Sequence, residues 1–201
     1  MTKIKMCGLS TALDIDYANE VLPDYIGFVF VSFSKRAVDE QKAKALSLNV
    51  DKRIKKVGVF YNHSIDFILK QIDEKIISIV QLHGDESEDF IKELKKKTNA
   101  KIIKAFSVED ENDIKKAEKS IADYILLDNK TAGSGQKFDW SIIKSIKKPF
   151  FLAGGLNCDN VSEALKLNPF AVDVSSGIET DNKKDITKMK DFAKKVRQSK
   201  C

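Results

Sequence analysis

The sequence predicts a single small (β/α)8 barrel, the TIM-barrel class of α/β folds, with residues 1–201 forming one domain. Short apolar runs alternate with amphipathic stretches eight times along the chain, and the runs recur at intervals of roughly 20 to 30 residues. Strict alternation of strand and helix places helices outside a parallel sheet. An open doubly wound sheet is the alternative, but such a sheet rarely needs eight consecutive units.

Each predicted strand is a short run rich in β-branched and other apolar residues. In chain order, the predicted strands are Lys3–Cys7, Tyr25–Val31, Lys56–Tyr61, Ile77–Leu82, Lys101–Phe106, Tyr124–Asp128, Pro149–Ala153 and Ala171–Ser175.

Apolar residues at helical spacing predict the helices between these strands. The clear stripes are Ile15, Ala18 and Leu22; Ile65, Ile68, Leu69 and Ile72; Phe90, Ile91 and Leu94; Ile142, Ile143 and Ile146; Val161, Ala164 and Leu165; and Ile186, Met189, Ala193 and Val196. Two helices have weaker patterns, with Val38, Ala45 and Leu48 after the second strand and Ile114 and Ala117 after the fifth.

The composition of the chain argues against several kinds of binding partner. The net charge of +5 is modest and no basic block resembles a nucleic-acid-binding arm, so we expect no nucleic-acid partner. No run of 18 apolar residues predicts a membrane span, and the N-terminus lacks the apolar stretch of a signal peptide. Three cysteines without a CxxC pair argue against a disulfide framework or a zinc site. We therefore expect a cytoplasmic protein, and the composition leaves open whether it is a monomer or a homodimer.

The first strand ends in a cysteine, at the position where barrels place their chemistry. Lys5 and Cys7 share a strand face, about 7 Å apart, so the ammonium would favour the thiolate form of Cys7. A thiolate could serve as a base or a nucleophile. The alternative is that Cys7 is a small buried apolar residue.

Other strand ends carry ionisable or hydrogen-bonding side chains. Arg36, after the second strand, suits a carboxylate because its guanidinium can bind both oxygens; an exposed surface arginine is the alternative. His83, which shares a strand face with Gln81, could donate a hydrogen bond or carry a proton, or could be structural. Asp128 follows three apolar residues, and partial burial would raise its pKa and suit it to general acid catalysis.

The segments around the last two loops are rich in glycine and serine. Barrels often bind phosphate after strands seven and eight, through backbone N–H groups and the N-terminus of a short helix. We expect this role for Gly154, Gly155, Ser175, Ser176 and Gly177. Separately, the glycines of residues 130–137 suggest a mobile loop, and Asp139 is predicted to cap a helix.

Taken together, these segments resemble one family, the phosphoribosylanthranilate isomerases of tryptophan biosynthesis. The resemblance covers the whole chain through Lys5-Met6-Cys7-Gly8, Ser34-Lys35-Arg36, Val80-Gln81-Leu82-His83-Gly84, Leu126-Leu127-Asp128, Gly133-Ser134-Gly135 with Phe138-Asp139-Trp140, Leu152-Ala153-Gly154-Gly155-Leu156, and Val172-Asp173-Val174-Ser175-Ser176-Gly177-Ile178-Glu179.

The resemblance implies an Amadori rearrangement of N-(5-phosphoribosyl)anthranilate without metal or cofactor. It implies that Cys7 is the general base, that Asp128 is the general acid and that Arg36 holds the anthranilate carboxylate. The last two loops would hold the substrate phosphate. Lys35 stands where proline is common in the family, a difference that does not touch the implied acid or base.

Two rival functions also fit these residues. A different phosphosugar isomerase or epimerase could use the same barrel, because fold does not fix function. A metal-dependent epimerase should, however, show several His and Asp residues at strand ends, and the chain has two histidines. The second rival is a non-catalytic anion-binding barrel, which would need no acid–base pair. Lys5 and Asp173 could tune the reacting groups or form a buried structural pair.

Overall fold

The computed structural model describes residues 1–129, 140–143 and 146–199. Eight parallel strands form a closed barrel in which each strand pairs with the next along the chain. The barrel strands are β1 Lys3–Cys7, β2 Tyr25–Val29, β3 Lys55–Phe60, β4 Ile79–Leu82, β5 Lys101–Val108, β6 Tyr124–Asn129, β7 Phe150–Leu152 and β8 Ala171–Val174. The predicted fold class is thereby confirmed.

Pairing of β8 with β1 closes the barrel, with Lys5 opposite Asp173. A further two-stranded antiparallel hairpin, β9 Glu179–Thr180 and β10 Lys183–Lys184, follows β8 and was not predicted.

Helices cover the outside of the barrel. They are α1 Ala12–Val21, α2 Glu40–Ser47, α3 Ile65–Asp73, α4 Glu88–Lys97, α5 Glu111–Lys119, α6 Val161–Ala164 and α7 Ile186–Gln198. Side-chain caps fix many of their starts. Thr11 and Asp14 form a capping box on α1, and Ser87 accepts the Phe90 N–H at the start of α4. Such caps satisfy N–H groups that have no partner within the helix.

Two predicted helical stripes differ from the structure. In α2 the buried apolar residues are Ala43 and Leu46. Of the three predicted residues, Val38 is buried but lies before the helix, whereas Ala45 and Leu48 are exposed, so the predicted face of the helix itself was wrong. Between β6 and β7, where isoleucines predicted an α-helix, the described residues include a 3-10 turn, Trp140–Ile142. The predicted loop of residues 130–137 and the predicted cap at Asp139 lie outside the described residues.

Side chains of each strand alternate between two cores. Ile4 and Met6 of β1 point outward and pack in the large core between sheet and helices. Lys5 and Cys7 occupy the opposite face, which points into the barrel. The interior holds a smaller apolar cluster that includes Phe151 and Leu126, and above it Val29, Val31 and Val59 pack against Cys7. The thiol therefore lies at the boundary between the packed interior and the open end of the barrel.

Candidate active site

A cavity of about 400 Å³ opens at the carboxyl end of the barrel strands. All the predicted site residues except Gly177 line it: Cys7, Arg36, His83, Asp128, Gly154, Gly155, Ser175 and Ser176. Six barrel strands therefore bring their predicted chemical groups to one place. This is the end of the barrel where enzymes of this fold class carry their active sites.

Below the thiol of Cys7 lies a buried ion pair. The Lys5 ammonium is fully buried, and its Nζ lies 2.7 Å from Oδ2 of Asp173 on β8. Burial alone would lower the pKa of Lys5, but attraction from Asp173 and Cys7 outweighs it and raises the pKa, so Lys5 stays charged. The ion pair therefore joins the first and last strands of the barrel directly beneath the cavity.

The pKa of Cys7 reflects two opposing effects. Burial raises it above the ordinary value for a thiol, and the positive charge of Lys5 partly offsets this rise. The expected influence of Lys5 is therefore present, but burial is the stronger effect. The resting thiol is protonated at neutral pH, and the thiolate, the form that acts as a base, becomes more populated as the pH rises.

Room for the thiol comes from Gly27 on the neighbouring strand β2, which pairs with Cys7 in register. A Cβ at position 27 would lie 2.7 Å from Cys7 Sγ, closer than such atoms pack. This functional role was not predicted. The sequence signal was a glycine inside an apolar strand, which often marks close approach of another group.

His83 lies between Gln81 and Asp128. The assigned orientation of the Gln81 amide places its nitrogen 3.0 Å from Nδ1 of His83, and Nε2 of His83 lies 3.8 Å from Oδ2 of Asp128. Burial, assisted by the charges of Lys5 and Lys104, lowers the pKa of His83 to about 4. A neutral ring that accepts from Gln81 at Nδ1 carries its proton on Nε2, facing the Asp128 carboxyl group.

Arg36 reaches the cavity while it is held from another side. Its Nε and Nη2 each donate a 2.6 Å hydrogen bond to a different carboxylate oxygen of Glu179. Glu179 also accepts a 2.6 Å bond from Nζ of the buried Lys184. Burial would raise the pKa of Glu179, but these two cations hold it below its usual value, so the carboxylate is ionised. Neither Glu179 nor Lys184 was predicted as a site residue.

A second glycine accommodates the stem of Arg36. Gly8 has a φ of +76°, which favours glycine, and a Cβ there would lie 2.3 Å from Cδ of Arg36. Gly8 therefore serves both the turn after β1 and the position of the Arg36 side chain.

The loops after β7 and β8 meet beside Cys7. Gly154 and Gly155 have φ values of 85° and 66°. The hydroxyl of Ser175 donates a 3.1 Å bond to the Cys7 carbonyl. Gly177 does not line the cavity; a Cβ there would lie 1.9 Å from the Leu156 carbonyl oxygen, so this glycine joins the two loops. Within residues 146–199, β8 is followed by the β9–β10 hairpin rather than by a short helix, so this surface presents backbone and hydroxyl groups.

Within residues 1–129, 140–143 and 146–199, no group of three or more His, Cys, Asp or Glu side chains is placed to hold a metal ion. Over the same ranges, none of the helices combines the length and the apolar character needed to cross a bilayer.

Comparison with known proteins identifies the family that this chain resembles. Residues 4–195 match the family model for N-(5'-phosphoribosyl)anthranilate isomerase. The isomerase of that name from Thermoanaerobacter sp. (strain X514) is 43% identical, with 98% of each chain covered. The one from Clostridium acetobutylicum is 44% identical, with 100% of each chain covered.

Solved structures agree with the sequence comparison. A phosphoribosylanthranilate isomerase from Thermotoga maritima superposes with a TM-score of 0.90 at 35% identity, covering 98% of this chain and 99% of that one. An isomerase in complex with reduced 1-(o-carboxyphenylamino)-1-deoxyribulose 5-phosphate gives a TM-score of 0.87 at 34% identity, with the same coverage. The match to the family model over residues 4–195, together with relatives more than 40% identical over nearly the whole chain, shows that the chain belongs to the N-(5'-phosphoribosyl)anthranilate isomerase family.

Proposed function

We propose that this protein catalyses the Amadori rearrangement of N-(5-phosphoribosyl)anthranilate to 1-(2-carboxyphenylamino)-1-deoxyribulose 5-phosphate, a step of tryptophan biosynthesis, with Cys7 as base and Asp128 as acid. The observation that carries the assignment is the convergence of Cys7, Asp128 and Arg36 on one cavity. They come from three different strand ends, and each supplies a function that this reaction requires.

The reaction begins with opening of the ribose ring. Asp128 transfers its proton to the furanose oxygen while the bond from that oxygen to C1 breaks, and the nitrogen lone pair forms the C1=N Schiff base. His83 directs its Nε2–H towards the Asp128 carboxyl group, 3.8 Å away. At this distance the contact is not a hydrogen bond, but an N–H dipole that points at the carboxyl group favours the carboxylate that remains after proton transfer.

The second step removes the proton from C2. The positively charged Schiff base acidifies this proton, and the Cys7 thiolate accepts it as the C1=C2 double bond of the enol amine forms. The enol amine then tautomerises to the ketone, with a proton delivered to C1. No oxidant or reductant is consumed, because the aldose carbon is reduced as C2 is oxidised within one molecule.

Binding at both ends of the substrate orients the reacting carbons. Arg36 is the cation that suits the anthranilate carboxylate, and the loops of Gly154, Gly155, Ser175 and Ser176 suit the phosphate. Gly177 supports this cradle by packing against the loop after β7. Binding energy from groups remote from C1 and C2 is thus available to position the reaction centre.

We further propose that residues 1–201 act as one domain, as a cytoplasmic monomer or homodimer, on a small phosphosugar and without a nucleic-acid or membrane partner. The three cysteines without a paired spacing support the cytoplasmic location, and the modest net charge of +5 supports the lack of a nucleic-acid partner. A phosphoribosylanthranilate isomerase from Thermotoga maritima that is described as dimeric, solved as monomers generated from it, is 35% identical with a TM-score of 0.88, so the homodimer has a precedent among relatives.

The decisive assay follows the loss of anthranilate fluorescence when freshly generated phosphoribosylanthranilate meets the purified protein. We expect Cys7→Ser and Asp128→Asn each to lower kcat on the order of 10²–10⁴-fold, the usual range for a proton-transfer group. Cys158→Ser is the matched control, because Cys158 lies outside the cavity and should leave the rate unchanged.

Two results would contradict the assignment. A folded wild-type protein that leaves the fluorescence unchanged would move the search to other phosphosugars. A Cys7→Ser or Asp128→Asn variant with nearly full turnover would remove that residue from its role.

A further inference from the structure

Glu179 is the centre of a chain of contacts that reaches both ends of the cavity. One of its oxygens binds Nε of Arg36 and Nζ of Lys184, and the other binds Nη2 of Arg36, each at 2.6 Å. Lys184 also donates a 3.0 Å bond to the carbonyl of Ser175, whose hydroxyl bonds the Cys7 carbonyl. The side chains of Glu179 and Lys184 are both buried.

The lining of the cavity shows from which side Glu179 holds the Arg36 guanidinium. Arg36 lines the cavity, whereas Glu179 and Lys184 do not. The carboxylate therefore holds the guanidinium from behind, through its Nε–Nη2 edge. A guanidinium has five N–H groups in a fixed plane, so the edge formed by Nη1 and the second Nη2 hydrogen can serve another carboxylate.

We propose that Glu179 is a positioning residue that fixes the guanidinium plane of Arg36, so that its Nη edge receives the anthranilate carboxylate. This inference rests on the proposed function and adds a residue to it. An arginine at the end of a flexible stem loses rotamer freedom when it binds a ligand. Glu179 removes that freedom before the substrate arrives, and the preorganisation strengthens binding.

The charges are consistent with this role. Arg36 and Lys184 contribute two positive charges, and Glu179 contributes one negative charge. The group as a whole therefore keeps a charge of +1 for an incoming anion. Lys184 balances Glu179 within the protein, so the charge of Arg36 remains available to attract the substrate carboxylate.

Glu179→Gln is the variant that tests the proposal. It keeps the shape and one acceptor oxygen but cannot accept both Arg36 hydrogen bonds, and its amide hydrogens face the guanidinium donors. We expect the KM for phosphoribosylanthranilate to rise on the order of 10–100-fold, the effect of losing one charged hydrogen bond, while kcat changes less than about threefold. Glu179→Asp keeps the charge but shortens the arm, and should give an intermediate KM.

Two inhibitors separate positioning of Arg36 from general damage to the loop. Free anthranilate probes the carboxylate end, and its inhibition constant should rise along with KM in Glu179→Gln. Inorganic phosphate probes the other end, and its inhibition constant should stay within about threefold, since Lys184 still bonds Ser175. Thr180→Val is the matched control, because it removes a hydrogen bond from the same hairpin to Asp185, the residue that caps α7, and should leave both constants unchanged.

An unchanged KM in folded Glu179→Gln overturns the proposal, as does an equal rise of both inhibition constants. If the Gln variant does not fold, Glu179→Asp decides alone: a raised KM with kcat retained supports the role, and wild-type KM refutes it. Failure of the proposed function is a separate result, since it is the wild-type protein that would then not convert phosphoribosylanthranilate.

Discussion

Acidification from neutral pH should destabilise this protein through the side chain of His83. Burial beside the positive charges of Lys5 and Lys104 lowers the pKa of His83 from 6.5 to about 4 in the folded protein. The unfolded chain binds a proton at this residue once the pH falls below about 6.5, whereas the folded protein does not. The free energy of unfolding therefore falls as the pH drops from about 6.5 to about 4.

The size of the effect follows from the two pKa values. A separation from 6.5 to about 4 corresponds to about 3 kcal/mol when fully developed, and to about 2 kcal/mol at pH 5. Above pH 7.5 the contribution vanishes, because His83 is neutral in both states. Glu179, whose pKa is lowered by folding, loses its stabilising contribution at lower pH, as the pH falls through its folded pKa.

The assay is urea unfolding followed by far-ultraviolet circular dichroism, at intervals from pH 7.5 to pH 4.5. His83→Asn is the comparison, because its amide oxygen can still accept from Gln81 but the side chain does not titrate. Other titrating groups are common to both proteins, so the difference between the two pH profiles isolates His83. We expect the wild type to lose about 2 kcal/mol more than the variant by pH 5.

The reasoning would be refuted by parallel pH profiles for the two proteins. A second, direct test is the imidazole titration by NMR, with His63→Gln to assign the two histidine signals. A His83 pKa above 6 would show that the ring is not kept neutral by its surroundings.

Three further predictions concern the cavity. Gly27→Ala should lower kcat at least tenfold by displacing the Cys7 thiol, in a protein that still folds; steady-state kinetics at full substrate saturation would reveal it, and an unchanged kcat would contradict it. Replacing the buried pair together, by Lys5→Met with Asp173→Asn, should move the limb of the pH–rate profile due to Cys7 to higher pH, because Lys5 has the larger effect on that thiol; an unmoved limb would show that the pair is only structural. Gly177→Ala should cost about 2 kcal/mol or more in the free energy of unfolding, because the new methyl group meets a backbone carbonyl; denaturant titration measures this, and a loss below 0.5 kcal/mol would mean that the loops separate easily.

Local patterns predicted the barrel well because each strand buries a short apolar run, and the alternation of side chains placed Lys5 and Cys7 on one inward face. The same patterns failed where local preference is weak. In α2 the apolar residues are few, and Leu48, which fits the spacing, comes after the helix and is exposed. The hairpin after β8 depends on the pairing of Glu179–Thr180 with Lys183–Lys184. These residues are polar, so they show no alternation of apolar and polar residues that would predict a strand.

In the candidate site, too, some features could be predicted from local sequence and others could not. Residues at strand ends could be predicted, because parallel strands in a barrel all end at one face. Contacts between distant segments could not. The fork between Arg36 and Glu179 joins residues 143 positions apart, and its geometry depends on the hairpin that carries Glu179. Gly27 matters only through its register with Cys7, which the closed sheet determines.

The pairing of β1 with β8 also has a consequence for the order in which the protein is made. Lys5 and Asp173 are 168 positions apart, so a chain growing on the ribosome completes its first strand long before the partner of that lysine exists. Closing a loop over this distance is slow and entropically costly. Because a buried ammonium without its carboxylate partner is unfavourable, β8 must dock before β1 takes its final position. Synthesis of nearly the whole chain therefore precedes the appearance of a competent thiol. A nascent fragment that ends before β8 should bind neither end of the substrate well and should turn none of it over.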